Sequence, residues 1–335
     1  MKFSKIIFKK FSKNLISNFL GGIKIPEKNL HIFIKTCYEL LLNRKPDKEG
    51  LDFYSNLIKT SGDNSLKIFI EKIIDSEEFD ERFIGLWNKK GLVKKSYWEW
   101  IKSNDENYLA TSMLTLDQVK SKFKRTDVIN LILSTRKEKT SYLEIGVRNL
   151  EDNFNLIKAN IKYSVDPGYE ALNNYADFKL KSDDFFNLLT TGEVLSPEIK
   201  FDVIFIDGLH LAEQVDKDIT NSLKFLKNDG FIVLHDCNPP TEWHAREIYE
   251  FYKSPADGAW NGTVWKAFLK RRFDESLKCC CIDSDWGIGV ISKKIELGSP
   301  IKNKNPFFEY EKFSQNREKY LNLITFEKFK HLLKS

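Results

Sequence analysis

FDVIFIDGLH (residues 201–210) and GFIVLHDCNPP (residues 230–240) each run from a nearly continuous apolar stretch into acids and histidines. Nearly continuous apolar character marks strands covered on both faces, the condition of a parallel sheet. Working outward, SYLEIGV from Ser141 and YSVDP from Tyr163 repeat the pattern, and a weaker run spans Phe178 to Leu180. Helix-length amphipathic segments separate these runs, which argues for crossover helices. Downstream, LKCCCIDSDWGIGVISKK places two strand-like runs around Asp283-Ser284-Asp285-Trp286-Gly287, an antiparallel hairpin. The predicted fold is therefore α/β: a doubly wound, Rossmann-like, mostly parallel sheet with a C-terminal antiparallel hairpin.

The chain before Ser141 reads differently. From His31 to about Leu92 the apolar spacing is helical, with Ile34, Tyr38, Leu41 and Leu42 on one face and a stop at Pro46. This predicts an all-α N-terminal domain over 31–95, a helical linker over 96–125, the α/β domain over 126–295 and a helical tail over 296–335. Residues 1–30 carry Phe3, Ile7, Phe11, Leu15 and Phe19 at every fourth position among lysines. Such a basic amphipathic helix can lie on an anionic membrane. Docking on its own protein is the alternative, and the favoured one.

Composition narrows the function. Hydrophobic residues make up 41% and charged residues 30%, so a packed core is affordable. A net charge of +5 spread over 53 basic and 48 acidic side chains is no nucleic-acid footprint. The five cysteines form no CxxC pair, which argues against a disulfide framework or structural zinc and for a reducing, cytoplasmic setting. No run reaches the roughly 20 apolar residues of a membrane span.

Ligands of open parallel sheets bind at the carboxyl ends of the strands. Those ends hold Glu144, Gly146, Asp166, Ser182, Asp183, Asp207, His210 and His235-Asp236. Acids end strand after strand, whereas a pyrophosphate site asks for glycines. Gly146-Val147-Arg148-Asn149-Leu150-Glu151 contains one glycine, so a nicotinamide-dependent oxidoreductase is disfavoured. Asp166 has the position to accept two ribose hydroxyls, and a helix-capping role is equally open to it.

Two resemblances follow from these motifs. YELLLNRKPDKEGLDFY with Ser76-Glu77-Glu78-Phe79 resembles the helical domain-of-unknown-function family 4214, which often accompanies glycan-modifying enzymes. Its Arg44, Pro46, Asp47 and Gly50 read as turn-forming residues. YLEIGVRN, SVDPG, SDDFF, FDVIFIDGLH and GFIVLHD, in this order, resemble class I S-adenosylmethionine-dependent methyltransferases, closest to the type 24 branch. The resemblance implies that Glu144 and Gly146 frame the methionine part of S-adenosylmethionine. Asp166 would take the ribose and Ser182 with Asp183 the adenine edge, while Asp207 borders the cofactor. Relatives of this fold place a divalent cation, magnesium or manganese, on an aspartate from each strand and an adjacent Asn or Asp. Asp207 and Asp236 match, whereas Cys237 stands in the third place and Asn238 lies one residue further on.

A histidine base is the metal-free route, since imidazole titrates near neutrality. His210 is favoured over His235, because alternation sends His235 and Asp236 to opposite faces. The catalytic set is thus His210, Asp207 and Asp236. DGAWNGTVWKAF (257–268) offers Trp260, Asn261, Trp265 and Lys266 as an acceptor wall suited to a carbohydrate ring, or else a helix start with Trp265 packed inward. The reading is O-methylation of a sugar in a surface polysaccharide. A methyltransferase-like scaffold without turnover is the alternative.

Overall fold

The computed structural model describes residues 25–334, apart from 43, 63–64, 77, 80–101, 171–172, 250–253 and 303–305. The expected amphipathic helix over 1–30 lies outside these residues up to residue 24. Two compact units divide the chain, Met1–Asp105 and Glu106–Ser335. The second starts ahead of the expected 126. Among the described residues no helix is long and apolar enough to cross a membrane.

In the first unit α1 (Glu27–Leu42), α2 (Lys48–Thr60) and α3 (Ser65–Ile74) enclose Leu30, Ile34, Phe69, Ile73 and Ile74. Asp47 caps α2 by accepting from Gly50 N at 2.7 Å. A Cβ on Gly50 would meet the Tyr38 hydroxyl at 2.8 Å, so glycine there serves a close approach. Arg44, expected as a turn residue, instead forks onto Glu78, with Nη2 2.8 Å from Oε2, and lies over the Tyr38 ring. Its planar fork matches a carboxylate better than it serves a turn.

The second unit opens with α4 (Glu106–Val119) and α5 (Arg125–Ser134) and then builds one seven-stranded sheet. Its strands are β1 (Ser141–Ile145), β2 (Ile161–Val165), β3 (Phe201–Ile206), β4 (Leu226–Leu234), β5 (Lys278–Ile282), β6 (Ile288–Ser292) and β7 (Leu323–Ile324). Their order is β2-β1-β3-β4-β6-β5-β7. β2, β1, β3 and β4 run parallel, and β6 pairs antiparallel with both β4 and β5, which is the predicted hairpin. The weak run at Phe178–Leu180 forms no strand. It contributes a single parallel bridge from Phe178 to Val165, because Ser164 and Asp177 hydrogen-bond each other and end the ladder there.

Both sheet faces are covered, as the mostly apolar strands require. Leu143, Ile145, Ile204, Ile206, Ile232 and Leu234 face α6 (Ser182–Thr191), α7 (Ala212–Phe225) and α8 (Val264–Arg272). Tyr142, Val203, Phe205, Phe231 and Val233 face α5. The tail adds α9 (Tyr310–Gln315), α10 (Arg317–Leu321) and α11 (Phe326–Leu332), with Phe313 and Leu321 packed on the first face and Phe329 on the second. The three adjacent cysteines are buried, with Cys279 and Cys281 on one face and Cys280 on the other, as strand alternation dictates.

Candidate active site

The carboxyl ends of β1 and β3 meet at glycines. Gly146 has φ +89°, and a Cβ on it would stand 2.3 Å from the Asp207 carbonyl oxygen. Only glycine fits there. Asp207 N donates to Ile145 O at 2.8 Å, so the two strand ends are tied together. Beside them Asp166 accepts from Val147 N at 2.8 Å and from Gly168 N at 2.6 Å, so its carboxylate orders both neighbouring loops. It keeps partial exposure, with a second lone pair on each oxygen. Ser182 and Asp183 open α6, and Gln214 of α7 donates to both at 3.2 Å.

Glu144 is placed differently from expectation. It is buried, accepting from the Tyr142 hydroxyl at 2.5 Å and from Asn153 Nδ2 at 2.9 Å. Asn153 in turn accepts from Thr126 of α5. Burial, only partly offset by these two bonds, pushes the Glu144 carboxyl up to about 7. Position along β1 had suggested an open ligand, but alternation turns Glu144 to the α5 face, where it props the loop from beneath.

Beyond β3 and β4, Asp207, His210 and Asp236 converge. His210 Nε2 lies 3.4 Å from Asp207 Oδ1 and 3.4 Å from Asp236 Oδ2. Their ligand-type atoms all fall within 4.8 Å of one another. His210 Nδ1 donates to the Trp260 carbonyl at 3.2 Å, and the Trp260 ring stacks on the imidazole at 5.1 Å. The loop bearing Trp260 is held close by Gly262, where a Cβ would stand 2.2 Å from His210 O, and by Thr263, whose hydroxyl accepts from Ala212 N. Leu209 and Tyr249 are exposed, and Tyr249 contacts the Trp260 ring at 5.3 Å.

His235 joins the same cluster, contrary to the alternation argument. β4 ends at Leu234, and Asp236 adopts φ +61°, a left-handed conformation uncommon for a residue with a Cβ. The chain therefore turns instead of alternating. His235 Nδ1 comes 3.3 Å from Asp207 Oδ1 and 3.1 Å from Asp236 Oδ2. Its Nε2 lies 3.4 Å from Asp285 Oδ2 and 3.2 Å from Arg125 Nη1. Arg125 at the start of α5 and Asp285 in the hairpin turn escape any local reading of the sequence. Arg125 N and Nη1 donate to Asp285 Oδ2 at 3.0 and 3.2 Å, and Arg125 Nε stands 3.7 Å from Asp207 Oδ2.

Charge follows this geometry. Burial works against the imidazolium of His210, but Asp236 and Asp207 outweigh it and push its pKa up to about 9. His235 is likewise raised, because Asp236 and Asp207 overcome its burial. Burial would lift Asp207, yet His235, His210 and Arg125 hold it below the usual carboxylate range.

Three other expected residues take structural places. Asn261 is fully buried and donates from Nδ2 to Asp236 Oδ1 at 2.7 Å, so it anchors a carboxylate instead of meeting an acceptor. Trp265 is buried against Phe313 at 4.4 Å, because it sits in the first turn of α8 with that face on the core. Lys266 lies over the Trp265 ring. Of the suggested acceptor wall Trp260 reaches the cluster with its ring and Asn261 with its amide, whereas Trp265 and Lys266 do not. Cys237 is wholly buried with its thiol against Gly289, so it offers no third ligand. Asn238 spends its amide on Asp283 and Arg317.

Two family models match parts of the chain. Residues 147–237 match the family described as a methyltransferase domain, and residues 27–83 match the domain of unknown function DUF4214. The methyltransferase-domain match thus falls inside the second unit, from the loop after β1 to just past β4. No curated protein matches the chain. Among solved structures it is similar to an O-methyltransferase from Bacillus cereus in complex with S-adenosylhomocysteine, at 13% identity and TM-score 0.31, covering 58% of this chain and 95% of that one. It is also similar to the O-methyltransferase TomG from Streptomyces achromogenes, involved in tomaymycin synthesis and bound to S-adenosylmethionine. That match has 12% identity and TM-score 0.30, covering 60% and 99% of the two chains. A protein from Corynebacterium glutamicum matches at 11% identity and TM-score 0.32, covering 62% and 96%.

Proposed function

We propose that the second unit transfers a methyl group from S-adenosylmethionine to a hydroxyl oxygen, the acceptor being a sugar of a surface polysaccharide. The observation that carries this reading is the convergence of Asp207, His210 and Asp236 under the Trp260 ring, beside the glycine-lined ends of β1 and β3. The chain's residues fit the cofactor. A Cβ on Gly208 would have nothing nearer than 3.8 Å, so bare backbone lines this strand end. Asp166 flanks it with lone pairs for the ribose hydroxyls, and Ser182 with Asp183 lies where the adenine edge would be read.

S-adenosylmethionine, when bound, supplies a methyl group on a cationic sulfonium. The rest is the protein's part. The Trp260 face, joined by Tyr249, suits the C–H face of a sugar or another neutral ring and would orient the acceptor. Its hydroxyl would then meet His210 Nε2 between Asp207 Oδ1 and Asp236 Oδ2, and the neutral imidazole, favoured above its raised pKa of about 9, would take the proton as the oxygen bonds the methyl carbon and the sulfur–methyl bond breaks to leave S-adenosylhomocysteine. Alignment supplies most of the acceleration in such a displacement. The match of the first unit to DUF4214 supports the glycan setting by resemblance.

Calorimetry tests the reading. Heat on titration with S-adenosylmethionine and S-adenosylhomocysteine is expected, with loss of affinity in Asp166→Ala. Silence with both, or heat with NAD(P) instead, removes the methyltransferase reading. Cofactor binding without methylation of any glycan hydroxyl would leave a binding scaffold.

A further inference from the structure

We infer that the outer face of α4 is a self-association surface, through which two copies of this chain pair antiparallel about a two-fold axis near Met113. The surface uses no residue of the proposed reaction and does not depend on it.

α4 has two faces of opposite character. Its inner face is held by the second unit. Tyr108 and Thr111 are buried, Thr115 Oγ1 lies 3.0 Å from His244 Nε2, and Gln118 Oε1 accepts from Trp286 N at 2.8 Å. Its outer face carries Leu109, Met113, Leu116 and Val119, spaced four, three and three residues apart, so they form one stripe. These side chains are 44%, 67%, 51% and 56% exposed. Among the described residues none of the four joins the clusters that cover the sheet. Single exposed apolar residues are ordinary, but a contiguous stripe on a well-anchored helix marks a contact surface.

Turned end for end, the stripe matches itself. The exposed charges Glu106 and Lys120 each stand seven residues from Met113, one on either side. A two-fold axis at Met113 therefore sets Glu106 of one copy opposite Lys120 of the other, at both ends of the contact. It also brings Leu109 of each copy near Leu116 of the other and opposes the two helix dipoles. A parallel pairing would set like charge on like. Asp117, the remaining charge of the helix, sits further round from the stripe. One charge of each sign at opposite ends suits a second copy better than a partner of uniform charge. A single helix of this length, ~21 Å, covers less than the ~800 Å² per partner of a tight complex, so the association is weak and concentration-dependent.

Sedimentation velocity of the full chain in low salt, from about 1 to 100 µM, tests this. The weight-average mass is expected to climb from 39.2 kDa toward twice that value. Met113→Lys and Leu116→Lys should each keep the chain monomeric at an unchanged melting temperature, since both side chains are exposed. Glu106→Lys and Lys120→Glu should each weaken the dimer roughly 10-fold, and the two substitutions combined should restore it. Under mild oxidation Met113→Cys should give a covalent dimer and Lys120→Cys should not. The five native cysteines are buried and do not compete. A monomer at every concentration overturns the inference, whatever else then occupies the stripe. So does a dimer that survives the lysine substitutions, fails to recover in the combined charge swap, or cross-links through Lys120→Cys.

Discussion

Gly146 is where one atom decides most. A methyl group there meets the Asp207 carbonyl at 2.3 Å with φ at +89°. Gly146→Ala should cost roughly 1–3 kcal/mol from the backbone conformation alone, more if the β1 and β3 ends separate. Urea unfolding measures that cost, and cofactor heat should vanish with it. Glu144 carries a pH prediction. Its folded pKa of about 7 lies above the ordinary 4.5. Below 4.5 both folded and unfolded chains hold the proton. Between 4.5 and 7 only the folded chain keeps it, so stability falls as pH rises through that window and is level above it. Glu144→Gln should remove this slope, worth on the order of 1–3 kcal/mol, in melting temperatures recorded from pH 4 to 8. An unchanged slope would show that other groups set it.

At the scale of elements, two tryptophans five residues apart divide the loop from the helix. Trp265→Ala empties a fully buried site against Phe313 and should cost roughly 3–5 kcal/mol without touching acceptor preference. Trp260→Ala, at the half-exposed mouth, should raise KM for the acceptor with little change in melting temperature. A reversed outcome would move the acceptor wall to α8. These elements also show what sequence can convey. β1, β3 and the Gly230–Leu234 half of β4 were readable because both of their faces are buried and their residues are mostly apolar. Phe178 was overread, since a short apolar run says nothing of the Ser164–Asp177 pair that ends its ladder. Asp207 and His210 were found because they follow a strand directly. The convergence of His235 with Asp236 was missed because alternation holds only while a strand continues, and Asp236 leaves it with φ +61°. Arg125 and Asp285 were invisible for another reason: their meeting spans 160 residues.

For the whole molecule, the division at Asp105/Glu106 leaves the second unit with both sheet faces covered from within. A fragment of residues 106–335 should fold cooperatively and bind cofactor as the full chain does, read by thermal melting and calorimetry. Starting the fragment at 126 should fail or melt markedly lower. That cut removes Gln118 and Ser121, whose side chains accept from Trp286 N and Asp285 N, and Arg125 itself.

The hairpin turn that receives those bonds has a consequence for biosynthesis. Synthesis runs from Arg125 toward Asp285, so the strands bearing Asp207 and Asp236 leave the ribosome before the acid that completes the cluster. Until the turn arrives, Arg125 has no Asp285 to hold and His235 faces one carboxylate fewer. The nascent chain thus passes through a stage with its sheet half laid and the Asp207, His210 and Asp236 cluster without Asp285 beside it. Its last hairpin acts as the latch, and a message truncated before residue 285 would lack β6, which joins β5 to β4, together with β7, the tail helices and the Asp285 bonds to Arg125 and His235.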